Sequence, residues 1–471
     1  MNLKRAALIN AVGKYSKVLL SIFINAVLAR ILSAEDYGVV AIITVFSTLF
    51  TTFSDMGFGP AIIQNKELTD NDINNIYSFS VYVSIGLMLL FAMLSFLIAL
   101  FYDDQVYVSL GQLLSISLLF NALNMVPNGI LNRDKKFVSI AIRTVIVYIV
   151  SAVITIILAL FDFRYYALAI QTIFTAFFTF VWNYATTKPK FKIRFQKKSI
   201  LKVLNYSGYQ FAFNIVNYFS RNLDNLLTGK FLGSSELGYY NKAYTLMLYP
   251  VNNLSGVVSP VLHPLLSDFQ KQLNIIYSKF MNIVRLLTCV GIYVAPVCYL
   301  GAEEIINILY GGNWNSSIVC FKLLSIAIIP QMINSSSGAI FQAIGNTKLL
   351  FINSCINTTI TITAIIIGIF VGKSITALSA CVAVAYLCHF ITACYMLIKL
   401  GFKNNLINFV IELIPEIIMI GFMIVAVMVY PFDIENMFVS IIAKCFYLGA
   451  VYLSALVITR EYKFFKILLK R

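Results

Sequence analysis

NYFSRNLDNLLTGKFLGSSELGYY, residues Asn217 to Tyr240, decides how the rest of the chain is read. Extended back to Gln210 and Asn214, its polar residues run on through Asn217, Arg221, Asp224 or Asn225, and Thr228. Their steps of four, three, four, three and four mark one face of a helix. The surrounding chain gives that stripe its meaning. Of 471 residues, 60% are hydrophobic and 12% charged, and the mean hydropathy is +0.85. That composition excludes an ordinary soluble domain and points to a multi-span membrane protein, so the stripe lies in a helix otherwise built for lipid.

Apolar runs long enough to cross about 30 Å of hydrocarbon recur along the whole sequence, and their length favours helices over a barrel of short alternating strands. Polar breaks divide them into fourteen expected spans, near residues 8–32, 38–64, 75–101, 107–131, 137–160, 165–187, 203–229, 238–266, 278–309, 316–344, 349–371, 375–398, 408–430 and 437–459. The 278–309 run is expected to end in a short surface helix around Glu303 and Glu304. No segment reads as a cleavable secretory signal, so the first is expected to be a retained span. The eight cysteines show no metal-ligand spacing with His263 and His389 and read as small core hydrophobes. No phosphate-binding glycine loop, zinc-binding helix motif or soluble domain is present, so neither an enzyme nor an ATP-driven pump is expected, and no cofactor or metal.

Lysine and arginine fall unevenly on the connections. One set holds twenty-three of them, from Lys4 and Arg5 to Lys470 and Arg471, while the other holds only Arg164, Lys230 and Lys373. By the positive-inside rule both termini are expected on the cytoplasmic side of the membrane. This distribution explains most of the net charge of +15 without a nucleic-acid partner. The longest basic run, KPKFKIRFQKKSILK from Lys188 to Lys202, interleaves Phe191, Ile193 and Phe195 with cations. It suits a linker resting on an anionic inner leaflet.

That linker separates two related halves. Under a shift of 200 residues, LARILSAEDYG at Leu28–Gly38 aligns with TGKFLGSSELG at Thr228–Gly238, and Pro60 meets Pro260. Later, LLSI at Leu113–Ile116 meets LLSI at Leu323–Ile326. Six spans per half give both halves one orientation, a parallel-repeat plan recurrent among secondary transporters. The expected division is a lobe over 1–187, a linker over 188–202, a second lobe over 203–400, and two extra spans with a basic tail over 401–471.

The first span carries the same stripe, Asn10, Lys14, Lys17, Ser21 and Asn25, at the same positions under the shift. Ionisable groups in hydrocarbon are costly and face a bundle interior or a wet cavity, so both helices are expected to line one. Within the first twelve spans Lys14, Lys17, Arg30, Arg143, Arg221, Lys242, Arg285 and Lys322 outnumber Asp55 and Asp224 by eight to two. Such a cavity favours an anion, a phosphate or diphosphate among the candidates. The expected binding residues are Lys14, Lys17, Arg221, Asn25, Asn214, Asn217, Arg30 and Arg143. Lys14, Arg30, Lys242 and Arg285 lie close enough to span ends to snorkel instead. Arg221 and Asp224 either serve the cavity or neutralise each other. Asp55, in FSDMGFGPAI, is either a proton or sodium site or a cation's structural partner.

The stretches LARILSAEDYG, FSDMGFGPAI, NRDKKF, RNLDNLLTGKFLGSSELGYYNKA, VSPVLHPLLSDFQ and LYGGNWNSS, in this order, resemble the Wzx-type polysaccharide flippases of the multidrug/oligosaccharidyl-lipid/polysaccharide superfamily. The resemblance implies an all-α polytopic fold of two parallel six-helix repeats (MATE/MOP-like), here with two further helices. It implies alternating access between the lobes and movement of an undecaprenyl-diphosphate-linked oligosaccharide to the outer leaflet, for O-antigen, capsule or exopolysaccharide assembly. H+ or Na+ would be the counter-ion, with Asp55 and Asp224 as coupling candidates, and a polysaccharide polymerase and a chain-length regulator would be partners. Lys14, Lys17 and Arg221 stand where the family's cationic interior would meet the diphosphate. Fourteen spans depart from the twelve of many such flippases and match a lipid II flippase-like layout. A multidrug exporter should instead show an acid-rich cavity, and a membrane glycosyltransferase a large acidic loop.

Overall fold

The structure is a computed structural model describing residues 3–55, 59, 62–63, 65, 67–196, 199–200, 208–255, 266, 269 and 272–469. The described residues are overwhelmingly helical and contain no strand. The chain divides into two compact units, Met1–Gly238 and Tyr239–Arg471.

The first unit contains α1 (Leu3–Ile31), α2 (Ala34–Asp55), α3 (Asp70–Tyr102), α4 (Val106–Arg133), α5 (Phe137–Leu160), α6 (Arg164–Thr187) and α7 (Gly208–Phe231). Helix α4 is its hub, packed on α2, α3 and α6, while α1 lies against α5 and α7 against α2. Small residues allow the closest approach, since a Cβ on Gly111 of α4 would lie 2.3 Å from Ser95 Cβ of α3. Most buried serines are tolerated because the hydroxyl donates within its own helix, as Ser95 does to Ala92 O (2.7 Å) and Ser84 to Val81 O (2.7 Å). The opposite face of α3 leaves Leu89, Leu90, Met93, Phe96, Leu97 and Leu100 exposed, a surface suited to lipid.

The second unit contains α8 (Ser234–Pro250, whose first turns belong to the first unit), α9 (Leu273–Leu300), α10 (Ala302–Tyr310), α11 (Asn315–Ser325), α12 (Ile328–Ala343), α13 (Thr347–Ile366), α14 (Ile375–Tyr395), α15 (Leu406–Glu412), α16 (Ile414–Met428), α17 (Met437–Ile458) and α18 (Tyr462–Leu469). Helices α9, α11, α12, α13 and α14 form one packed group, and α16 and α17 pack on α9. Ile292, Met419, Met423, Leu448 and Leu456 make the core of that last contact.

Among the described residues nine helices are long and apolar enough to cross a membrane, or eleven if each of two bent pairs is one span. The chain is thus a multi-pass membrane protein. The expected count of fourteen is not reached by that test: parts of the spans near 38–64, 203–229 and 238–266 lie outside the described residues, and the spans near 8–32, 203–229 and 238–266 fall short of it on α1, α7 and α8. The first two carry the polar stripes; α8 contains Glu236 and Lys242 and runs toward residues outside the described set. Two spans expected to be continuous are bent, by 58° between α11 and α12 and by 56° between α15 and α16. Pro330 and Pro415 stand in the first turn of the second helix of each pair, where a missing N–H costs least. The expected short helix exists as α10, but Glu304 is buried where a surface residue was expected. It accepts from Ser440 Oγ (2.6 Å) and pairs with the Lys444 ammonium.

Candidate functional site

The striped helices place their polar groups in two ways. On α1, Ser21 Oγ donates to Val18 O (2.7 Å) and Asn25 Nδ2 to Ser21 O (2.8 Å), so the neutral members are satisfied partly by their own helix. Lys17 and Arg30 are exposed. The Lys17 ammonium stands 5.9 Å from the Tyr148 ring of α5, which steadies the cation without neutralising it. On α7, Arg221 is exposed, while Asp224, one turn on, is buried and its Oδ1 accepts from the Asn225 N–H (2.8 Å). Among the described residues no salt bridge joins Arg221 to Asp224. The side chains of Lys14, Asp55, Asn214 and Asn217 lie outside the described residues.

Arg143 is placed differently. It is buried in the packing of α4, α5 and α6, donating to Asn183 Oδ1 (2.6 Å) and Asn128 Oδ1 (3.4 Å). Asn183 Nδ2 in turn donates to Asn124 Oδ1 (2.7 Å). Three amides thus replace water around a charge that has no carboxylate partner among the described residues. The arrangement locks three helices together and leaves Arg143 less accessible than Lys17, Arg30 or Arg221.

The turns that end the striped helices cross each other. Ser33 and Asp36 form a capping box at the start of α2: the Ser33 N–H and hydroxyl donate to Asp36 Oδ2 (3.0 and 2.7 Å), and the Asp36 N–H donates back (3.2 Å). Arg164 pairs with Asp36 (3.1 Å) and Glu35 (3.4 Å). The repeat-related turn uses Gly233, at φ +100°, where the first has Ser33. A Cβ on Gly38 would lie 1.7 Å from Ser234 O, and one on Gly238 would lie 1.9 Å from Ala34 O. The 200-residue relation is therefore a physical one: equivalent glycines meet equivalent backbone on the other turn. Lys230, paired with Asp103 (2.7 Å), and Tyr102, donating to Leu226 O (3.0 Å), tie α7 to α3 nearby.

In the second unit, Lys242 is buried between the rings of Tyr310 (4.9 Å) and Trp314 (5.6 Å), which gives the LYGGNW stretch a structural job. Arg285 Nε stands 3.5 Å from Glu416 Oε1, and its Nη2 donates to Glu412 O (2.7 Å). Ligand atoms of Cys289, Glu416 and Glu461 all lie within 4.8 Å of one another. With the guanidinium already against Glu416, this cluster reads as a buried ion-paired anchor for α16 and α17. An apolar groove of about 650 Å³ opens beside it, lined by Ile292, Pro296, Ile333, Phe390 and Met423 with Glu416 as its sole carboxylate. Between α13 and α14, His389 Nε2 meets Asn357 O (2.9 Å) and Thr361 Oγ1 (3.1 Å), and Thr392 Oγ1 donates to Asn357 Oδ1 (2.9 Å). Sequence reasoning missed this network and Glu461. An i, i+4 pattern of Asn357 and Thr361 was the available signal for the first.

The model of the family described as "Polysaccharide biosynthesis protein" matches residues 27–319. The teichuronic acid biosynthesis protein TuaB of Bacillus subtilis (strain 168) is 22% identical over 299 residues, covering 63% of this chain and 62% of TuaB. The lipopolysaccharide biosynthesis protein WzxC of Escherichia coli (strain K12) is 25% identical over 357 residues, covering 73% of this chain and 70% of WzxC. Among solved structures, the lipid II flippase MurJ in an inward closed conformation is similar at a TM-score of 0.75 and 17% identity, covering 97% of this chain and 99% of that one. That likeness extends through the last two helices and concerns the fold alone.

Proposed function

The chain belongs to the polysaccharide biosynthesis protein family, and from that premise we propose that it is a flippase for a polyprenyl-diphosphate-linked oligosaccharide, a transporter and not an enzyme. The observation that carries this reading is the cationic balance of the striped helices. Lys17 and Arg221 are exposed and lie on the two repeat-related stripes, though not at equivalent positions (Lys17 corresponds to Asn217 and Arg221 to Ser21), and a diphosphate is the part of such a substrate that needs them. Arg30 and Asn25 stand on the same helix as Lys17, and Lys14, Asn214 and Asn217, whose side chains lie outside the described residues, remain candidates by their positions in the sequence stripes alone. Arg143, held by asparagines, acts on the site through the packing of α5.

In this reading both termini are cytoplasmic in a bacterial plasma membrane, and the lobes 1–187 and 203–400 rock about the linker 188–202. Asp224, buried one turn from Arg221, is the favoured site for coupling to H+ or Na+, with Asp55 the other candidate. A polymerase and a chain-length regulator would receive the product. A cation exporter is disfavoured by the eight-to-two excess of cations over acids within the first twelve spans. A lipid II substrate would use the same diphosphate contacts and differ only in the sugars.

The test is the double substitution Lys17→Ala with Arg221→Ala. It should abolish surface polysaccharide in a complemented deletion strain while the protein remains in the membrane at parental amount. Normal polysaccharide in that strain sinks the site assignment.

A further inference from the structure

Residues 188–196 have no regular structure, yet their backbone is held at three points along α3. The Lys190 N–H donates to Asn74 Oδ1 (2.7 Å), the Lys192 N–H donates to Ser78 Oγ (2.8 Å), and the Tyr82 hydroxyl donates to Ile193 O (3.0 Å). Asn74, Ser78 and Tyr82 are spaced by four and lie on one face of the helix. The chain then turns back: Phe195 packs edge-on against Phe79 (5.5 Å), and Ser199 Oγ donates to Asp72 Oδ1 (2.6 Å). The segment is a strap laid along the first turns of α3.

The length of α3 says where that strap sits. Its 33 residues span about 50 Å, some 20 Å more than the hydrocarbon of a bilayer. Tyr82 is the first large exposed apolar side chain on this helix, followed by Ile85, Leu89, Leu90 and Met93. It lies about 18 Å from the start of the helix, so the overhang ends where the lipid-facing surface begins. The bend of the strap, at Ile193 and Arg194, is fixed to that boundary. There it leaves Ile193 78% and Phe191 47% exposed, beside the exposed cations Lys188, Lys190 and Arg194. Water is a poor partner for those two apolar side chains. A headgroup layer satisfies them and the cations together.

We propose that the strap is a binding site for anionic phospholipid, with Phe191 and Ile193 inserted at the headgroup–acyl boundary and Lys188, Lys190 and Arg194 holding the phosphates. The inference rests on the orientation given above, which puts this connector on the inner leaflet. The strap would also hold the base of α3 at a fixed depth, because Tyr82 belongs both to the strap's hydrogen bonds and to the lipid-facing side.

The test places the full-length Ile193→Trp variant in nanodiscs carrying bromine-labelled acyl chains on either phosphatidylglycerol or phosphatidylcholine, at equal bromine content. Emission of the parent protein, from Trp182 and Trp314, is subtracted. Quenching of the added tryptophan should be at least about twofold stronger with labelled phosphatidylglycerol, the cations having gathered that lipid at the strap. Adding Lys190→Gln and Arg194→Gln should bring the two lipids level. Equal quenching by both lipids without those changes overturns the proposal, as does a red-shifted emission that neither lipid quenches, which would leave the strap to water or to a protein partner. Both faces of a disc carry the same lipid and no transport is read, so an error in the orientation or the substrate leaves this result unaffected.

Discussion

Substituting Gly38 by alanine should force apart the two turns that end the striped helices. The added Cβ would stand 1.7 Å from Ser234 O, and its counterpart on Gly238 would stand 1.9 Å from Ala34 O. Ordinary van der Waals contact begins near 3.4 Å, so each substitution demands a shift of roughly 1.5 Å or more between backbone segments, which no side-chain rotation can relieve. Overpacking of that kind costs about 1–3 kcal/mol per site. Both glycines guard the same approach, so once one alanine has separated the turns the second meets an open contact. The double variant should therefore be less destabilised than the two single variants added together, with a coupling of about 1 kcal/mol or more. Unfolding in mixed micelles, followed by helical circular dichroism, measures the cycle. Gly86 of α3 is the control: nothing lies within 4 Å of its added Cβ, and alanine there should be neutral or stabilising by up to about 1 kcal/mol. A harmless Gly38→Ala, or strictly additive costs, would refute the argument that repeat-related glycines hold one shared contact.

Removal of the Lys444 ammonium by Lys444→Met should leave Glu304 buried without its cationic partner, at a cost of about 3–5 kcal/mol. The double variant with Glu304→Gln should recover much of that loss in the same unfolding assay. Burial pushes the Glu461 carboxyl above the usual carboxylate range, and Arg285 offsets this only in part. Because the folded pKa is the higher one, the contribution of the neutral carboxyl is fully present below about pH 4.3 and is lost as pH rises through the folded value. Glu461→Gln should accordingly unfold at a higher temperature than the parent at neutral pH and lose that advantage on acidification; an advantage independent of pH would contradict the assignment.

Hydropathy located the nine to eleven membrane-long helices of the described residues because length and apolarity are local properties of the chain. It did not reveal the bends at Pro330 and Pro415, since a proline in the first turn of a second helix and a proline inside a continuous one have the same composition. Helical spacing was enough to find the stripes on α1 and α7. It could not separate exposed Lys17 and Arg221 from Arg143, whose burial depends on Asn124, Asn128 and Asn183 brought from two other helices. The LARILSAEDYG and TGKFLGSSELG stretches were visible as a repeat. That their glycines face each other's turns became clear only when chain segments 200 residues apart were placed in space. Glu304 looked like a surface acid because its partners, Ser440 and Lys444, lie some 140 residues away.

The central claim is that exposed cations on α1 and α7 carry the diphosphate of a lipid-linked oligosaccharide. Its most direct measurement is translocation of a fluorescent polyprenyl-diphosphate oligosaccharide across proteoliposomes containing the purified protein, read as the fraction accessible to an added membrane-impermeant quencher. The account predicts translocation by the parent chain and its loss in Lys17→Ala/Arg221→Ala, with a monophosphate analogue moved more slowly than the diphosphate. Equal translocation by parent and double variant, or indifference to the number of phosphates, would contradict it.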